Sequence, residues 1–266
     1  QRCRDLGVEI YLNQPVREIL HQSEKVSGVL LKNGEQISAE IVVTNADSEI
    51  TYSKLLPNKP KVTRKARRNL AKSKPSLSGF SLLIGLKPDL TGKAQLSHHN
   101  VYFPDNYDDE FDAIFMRNEP APDPAIYICA PKDETMVKNP GEESWFVLVN
   151  APRHEPGIGF DWKKPGVKES YAQLILDKMM ERGLDIRERI VLMEIRTPAD
   201  LEERVNAPGG SIYGTSSNGA RSAFLRAKNR SPLAGLYCVG GSAHPGGGLP
   251  LVGISAEIVA EAIGKA

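Results

Sequence analysis

The stretch from Gly235 to Ala266 reads GLYCVGGSAHPGGGLPLVGISAEIVAEAIGKA. Its first apolar run, 236–239, has the length and character of a buried strand. A turn rich in glycine follows, and 254–263 carries apolar residues at helical spacing. A glycine turn between a strand and a helix N-terminus allows backbone N–H groups to approach an anionic or polar ligand, with some glycines at positive φ. A glycine-rich loop that only reverses the chain is the alternative.

Six residues of this turn follow the order G-x-x-H-P-G-x-G-x-P, and they are Gly241, His244, Pro245, Gly246, Gly248 and Pro250. The stretch therefore resembles the C-terminal signature of the bacterial-type phytoene desaturase family, which comprises FAD-dependent carotenoid desaturases, isomerases and oxidases. The resemblance implies that the turn closes over the flavin. It adds five neighbours as cofactor-binding residues: Gly240, Ser242, Leu251, Val252 and Gly253. Val252 and Gly253 would offer N–H groups to the pyrimidine edge of the flavin.

The resemblance also implies a reaction. A member of this family is an oxidoreductase of carotenoid biosynthesis that desaturates a phytoene-like polyene lipid by hydride transfer to FAD. Isomerisation, oxidation of a terminal methyl group, or non-enzymatic lipid binding are the alternatives. The sequence identifies no catalytic base, although His244 is a candidate because it lies in the flavin-facing turn.

A second element supports the resemblance. The run 208–214, Pro-Gly-Gly-Ser-Ile-Tyr-Gly, is similar to the family's Pro-Gly-Gly-x-x-Tyr-Gly element, where the chain returns toward the flavin. Tyr213 would face the apolar substrate, with a core tyrosine as the alternative. The following arginines, Arg221, Arg226 and Arg230, are interpreted as structural ion-pair partners.

The chain contains no G-x-G-x-x-G fingerprint, the strand-to-helix turn that holds a dinucleotide pyrophosphate. Because the family has this fingerprint near its N-terminus, the sequence resembles the C-terminal portion of a larger protein. We expect the 266 residues alone to bind FAD weakly or not at all, and to be inactive.

The predicted fold class is α+β or α/β, with two domains. The resemblance implies that residues 1–47 and 208–266 form a partial, Rossmann-like FAD-binding domain, in which 8–12 is a strand and Asn33-Gly34 turns a hairpin. It also places Val16 near the adenine ring, with a core residue of a plain β-meander as the alternative. Residues 48–207 are expected to form a substrate-binding domain on a mainly antiparallel sheet. Alternating Phe80, Leu82 and Ile84 predict one of its strands, and the spacing of apolar residues over 166–183 predicts its longest helix.

Composition excludes several other functions. A net charge of +1 gives no electrostatic footprint for nucleic acid. The three cysteines lie far apart, which argues against a disulfide framework. Adjacent residues of a strand point to opposite faces, so His98 and His99 make a poor metal pair, and we predict no metal site.

The remaining predictions concern location. No apolar run is long enough for a membrane-spanning helix, and no signal peptide is recognised. A cytoplasmic protein follows, with peripheral contact at the cytoplasmic membrane face for a water-insoluble lipid substrate. The basic segment 61–74 has a narrow apolar stripe at Val62, Ala66 and Leu70, typical of a membrane-surface helix or of an ordinary solvated one. The oligomeric state is not predicted.

Overall fold

The computed structural model describes residues 1–92, 96–216 and 226–264. The chain forms two compact units, residues 1–74 with 213–266, and residues 75–212. The two predicted domain boundaries lie at 47/48 and 207/208. In the structure 48–74 folds with the first unit, because Tyr52 and Leu56 enter the same core as Leu236. The functional division into FAD-binding and substrate-binding domains stays a prediction.

The described elements are mostly short strands and helices. The helices are α1 Arg2–Asp5, α2 Ser48–Ser53, α3 Arg64–Lys72, α4 Asp108–Phe111, α5 Val167–Glu181, α6 Pro198–Val205 and α7 Leu249–Ile263. The strands are β1 Val16–Gln22, β2 Lys25–Leu31, β3 Gln36–Ser38, β4 Val42–Thr44, β5 Ser78–Leu86, β6 His99–Tyr102, β7 Ile126–Cys129, β8 Glu143–Ala151, β9 Ile190–Arg196 and β10 Leu236–Cys238. A 3₁₀ turn precedes α3, and a π-helical segment, Asp112–Arg117, continues α4.

The first unit contains two small sheets. Strands β1, β2 and β3 form an antiparallel meander, and the turn at Asn33-Gly34 joins β2 to β3 as predicted. Strands β4 and β10 pair in parallel. The predicted strand over 8–12 is wrong: this segment has no strand conformation, and its apolar side chains are exposed. A strand needs the hydrogen bonds of a neighbouring strand, and 8–12 pairs with none within the described part of the chain.

The basic helix α3 packs against the core of this first unit with its partly buried apolar residues. Val62, Ala66 and Leu70 pack against a buried cluster that includes Ile19, Tyr52, Leu56 and Leu236. The apolar stripe on which a membrane-surface helix would depend is therefore already partly covered by the protein. Among the described residues, no helix combines the length and apolar character needed to span a bilayer.

The second unit is built on a five-stranded sheet in the order β6-β7-β8-β5-β9, with every neighbouring pair antiparallel. The alternation of Phe80, Leu82 and Ile84 places all three side chains in the core, as predicted for β5. Helix α5 contributes Tyr171, Ile175 and Met179 to the same core. Helix α6 begins with a capping box, in which Thr197 and Asp200 exchange hydrogen bonds. The predicted mixed fold with a mainly antiparallel sheet is confirmed.

Candidate functional site

The glycine-rich turn links β10 to α7 within the first unit. Strand β10 is fixed by its parallel pairing with β4, and the Val239 N–H extends this ladder to the Thr44 carbonyl at 3.0 Å. Gly240, Gly246 and Gly248 have positive φ, as expected for this turn, and the His244–Pro245 peptide bond is cis. The turn thus runs from a buried strand to the N-terminus of a fifteen-residue helix, the predicted arrangement.

Helix α7 begins at Leu249, earlier than the predicted start at 254, because Pro250 occupies the first turn, where a missing N–H costs nothing. The Val252 N–H consequently donates to the Gly248 carbonyl at 2.9 Å. Val252 and Gly253 lie inside the helix, and the Val252 N–H already has this intrahelical acceptor. The predicted contact of both residues with the flavin stays a prediction. The N–H groups of Leu249 and Leu251 are the ones without an intrahelical acceptor.

The first half of the turn is tied to helix α2. The Ser48 N–H donates to Ser242 Oγ at 2.9 Å, and Ser48 Oγ donates to the Ser242 carbonyl at 3.2 Å. Ser48 is buried and follows Asp47, whose side chain caps α2 by accepting the Glu49 N–H. Ser242, predicted as a cofactor-binding residue, therefore has a structural partner that fixes the position of its backbone.

The second half of the turn is held from inside by Asn229. Its Nδ2 lies within hydrogen-bond distance of the carbonyls of Cys238 (3.2 Å) and His244 (2.8 Å) and of Ser255 Oγ (2.9 Å). Ser255 Oγ also accepts the Gly240 N–H at 3.2 Å. One buried amide thus connects the strand, the turn and α7. The side chain of His244, by contrast, is exposed.

A buried arginine also holds the turn in place. Arg226 is 8% exposed as a residue, and its guanidinium donates to the carbonyls of Tyr213 (2.8 Å), Gly241 (2.8 Å) and Thr215 (2.9 Å). Burial lowers the pKa of Arg226, and the charge of Asp47 partly offsets this effect. Burial likewise raises the pKa of Asp47, against the opposing effects of the Glu49 N–H and of Arg226. Arg226 therefore joins two predicted site segments through their backbones.

Tyr213 lies against the turn. The Tyr213 ring is so close to Gly247 that a Cβ on that glycine would lie 1.9 Å from Tyr213 Cδ1. The tyrosine has φ +67° and is 51% exposed, so it is not a core residue. The two sequence elements that carried the family resemblance, 208–214 and 240–250, thus meet at Tyr213 and Gly247.

The other predicted cofactor-binding residues differ in exposure. Pro250, Leu251 and Gly253 are exposed, whereas Pro245 is half-buried and Gly246 is buried. Val16 begins β1, opposite Leu31 on β2, and is 37% exposed. The predicted contact of Val16 with an adenine ring stays a prediction.

The one cysteine next to the turn is not suited to nucleophilic chemistry. Cys238 is buried, and burial raises the pKa of its thiol to about 11. A thiol that stays protonated is a poor nucleophile. Cys238 serves as a core residue beneath the turn.

Sequence reasoning missed the residues that hold the turn in place. Asp47 and Ser48 carried a signal, because Asp-Ser-Glu after a strand is typical of a capped helix start. Asn229 and Ser255 carried none, since their roles depend on contacts between distant segments. Arg226 had been assigned to ion pairing alone, whereas the structure gives it three carbonyl acceptors. Arg221 lies outside the described residues.

Comparison with known proteins shows clear relatives. The chain is 35% identical over 264 residues to a 1-hydroxycarotenoid 3,4-desaturase of a Flavobacterium species, covering 98% of this chain and 51% of that protein. It is 35% identical over 265 residues to a 4,4'-diapolycopene oxygenase of a Methylomonas species, covering 97% of this chain and 51% of that protein. The chain spans about half the length of the curated relatives it matches. No protein-family model matches it.

Solved structures show the same fold. An oxidoreductase from Methanosarcina mazei superposes with a TM-score of 0.62 at 17% identity, over 97% of this chain and 51% of that one. A putrescine oxidase variant, redesigned in its cofactor binding, superposes with a TM-score of 0.58 at 12% identity, over 98% of this chain and 50% of that one.

Proposed function

We propose that this chain belongs to the bacterial-type phytoene desaturase family, about half the length of whose members it spans, and that it contributes to an FAD-dependent oxidoreductase that desaturates a carotenoid-like polyene. The observation that carries the proposal is the meeting of Tyr213 with the glycine turn at Gly247, directly before the N-terminus of α7. An aromatic side chain and a bare backbone turn are thereby placed side by side.

The residues present fit a flavin. A Cβ on Gly241 would make only an ordinary contact with Gly247 Cα at 3.5 Å, and a Cβ on Gly248 would meet nothing within 4 Å. A flat ring could thus approach the backbone of the turn at Gly248 without meeting a side chain there, while the Tyr213 ring covers Gly247. The N–H groups of Leu249 and Leu251 would donate to it, and the positive end of the α7 dipole favours negative charge there. Residues 240–251 would hold the ring, and a pyrophosphate fingerprint is absent from the sequence.

The division of work follows from these positions. When bound, FAD supplies a two-electron acceptor for hydride removal from a polyene. Tyr213 would provide an apolar wall for the polyene, while Arg226, Asn229 and Ser255 keep the turn in one conformation. The described residues do not identify a catalytic base. The His244 side chain is exposed, so a role for His244 in proton transfer is supported only by its place in the turn.

A second reaction has support from the comparisons. The 4,4'-diapolycopene oxygenase matches this chain at the same 35% identity as the desaturase. Oxidation of a terminal methyl group is therefore the second candidate, on the same scaffold. We further propose a cytoplasmic location with peripheral membrane contact, because either substrate would be a water-insoluble polyene.

Product analysis tests the proposal. The protein expressed from its complete gene, supplied with FAD and an acyclic carotenoid in vesicles, should yield products that have lost pairs of hydrogens. Products that have gained oxygen would support the second candidate. Replacing Tyr213 with alanine should lower kcat/KM about tenfold through loss of substrate contact. Tyr11→Ala, a substitution of another exposed tyrosine in the same unit, is the matched control and should leave turnover unchanged. An unchanged carotenoid with FAD bound would overturn the proposal.

A further inference from the structure

Three potential metal-ligand side chains meet at one edge of the second unit. One ligand atom from each of His98, His99 and Cys129 lies within 4.8 Å of the other two. The two imidazole rings are 4.4 Å apart between centroids, with an interplanar angle of 56°. The histidines are exposed and the cysteine is half-buried, so the cluster is open to solvent and takes no part in the core.

The fold explains why the sequence argued against this cluster. His99 begins β6 and lies directly opposite Cys129, the last residue of β7. Directly opposed residues of an antiparallel pair have Cβ atoms about 5 Å apart on one face. His98 precedes the strand, so the alternation that would send it to the other face does not apply. The Cys129 thiol is distant from the two histidines in the sequence, and the neighbouring strand β7 brings it next to them.

A neighbouring phenol fits the same arrangement. His99 Nδ1 lies 2.8 Å from the hydroxyl of Tyr127, on the strand that also carries Cys129. With Nδ1 protonated and donating to Tyr127, the Nε2 lone pair of His99 is free to bind a cation. A hydrogen bond to the second ring nitrogen is typical of metal-binding histidines because it fixes the tautomer and the ring orientation.

We propose that His98, His99 and Cys129 bind a borderline-soft divalent cation of the zinc type. Two imidazoles and a thiolate are the ligand chemistry that zinc prefers, with bonds of about 2.0–2.3 Å. Tetrahedral coordination at these bond lengths separates ligand atoms by about 3.5 Å. Exposed side chains can make the remaining movement by small rotamer adjustments. A fourth position would be left to water.

A cation bound at this site would stabilise the edge of the sheet. Strand β6 is the outermost strand and is paired only with β7 among the described elements. A cation held by His98, His99 and Cys129 would cross-link the two strands at the end of their ladder. Because it binds the folded sheet better than the unfolded chain, it would raise the stability of this unit. The site is independent of the proposed flavin chemistry, so its test does not require cofactor or turnover.

Cobalt titration tests the proposal. Co²⁺ takes zinc-type sites and reports thiolate ligation by a near-ultraviolet charge-transfer band. The reduced full chain should bind one equivalent of Co²⁺ with this band, and Zn²⁺ should displace it. We expect Cys129→Ser to abolish the band, and His98→Gln and His99→Gln each to weaken binding at least about tenfold. Tyr127→Phe should weaken it about tenfold or less.

The matched control is Cys3→Ser, which removes an exposed thiol from the other unit and should leave the titration unchanged. Thermal unfolding gives a second readout: Zn²⁺ should raise the melting temperature of the wild-type chain and of Cys3→Ser but not of Cys129→Ser. Absence of a charge-transfer band in the wild-type chain, or a band that survives in Cys129→Ser, would overturn the proposal.

Discussion

Gly210→Ala is expected to lower the free energy of unfolding of the 75–212 unit by about 3–4 kcal/mol. Gly210 has φ +69°, and a Cβ there would lie 2.0 Å from the Pro198 carbonyl oxygen and 2.8 Å from its carbon. Both neighbours are backbone atoms at the start of α6, where the capping box fixes the chain. The clash can therefore be relieved only by moving the helix start or the Pro-Gly-Gly segment, which is why the expected effect is large.

A second glycine separates the cost of a positive φ from the cost of the steric clash. Gly157 also has positive φ, at +89°, but nothing lies within 4 Å of an added Cβ. Gly157→Ala should thus cost only the backbone term, about 1 kcal/mol. Denaturant unfolding followed by Trp145 and Trp162 fluorescence measures both variants, since each tryptophan is buried in this unit. Equal losses for the two variants would contradict the close approach at Gly210.

The other large effect is expected at Arg226. Arg226→Met keeps the length of the side chain but removes the donors to the carbonyls of Tyr213, Gly241 and Thr215. Three buried or half-buried acceptors then lose a charged donor, and the expected loss of stability is about 3 kcal/mol. The turn would also lose its connection to Tyr213, so flavin retention should fall in the protein expressed from its complete gene.

Arg230→Met is the matched control, because Arg230 lies on the same segment and its side chain is exposed. Its effect should stay within about 0.5 kcal/mol, the usual range for a surface substitution. Chemical unfolding and the ratio of bound flavin to protein are the two measurements. If Arg226→Met behaved like Arg230→Met in both measurements, the conformation of the turn would not depend on the Arg226 guanidinium.

Local patterns predicted much of this fold. Strand β5 has the alternation of a strand with one face in the core, so Phe80, Leu82 and Ile84 sufficed to place it. Thr197 followed by proline is typical of a helix start such as that of α6, because the threonine side chain accepts an N–H of the first turn and proline has no N–H that would stay unpaired. These signals depend on neighbours within a few residues, which a sequence displays directly.

Most of the failures have a common physical origin in contacts between distant segments. Residues 8–12 have the pattern of a strand, but the pattern does not contain the partner that a strand requires. His99 and Cys129 meet through the register of two strands, and Asn229 bonds to groups on both sides of the turn. The start of α7 was misplaced for a local reason: Pro250 is equally typical of a turn and of the first turn of a helix.

The central claim, that residues 240–251 close over a flavin, is tested most directly by the cofactor content of the protein expressed from its complete gene. An absorbance spectrum of the purified protein and the mass of the released cofactor are sufficient. The account predicts a flavin spectrum and FAD released in a one-to-one ratio to protein. A folded protein that contains no flavin, and takes up none when FAD is supplied, would contradict it.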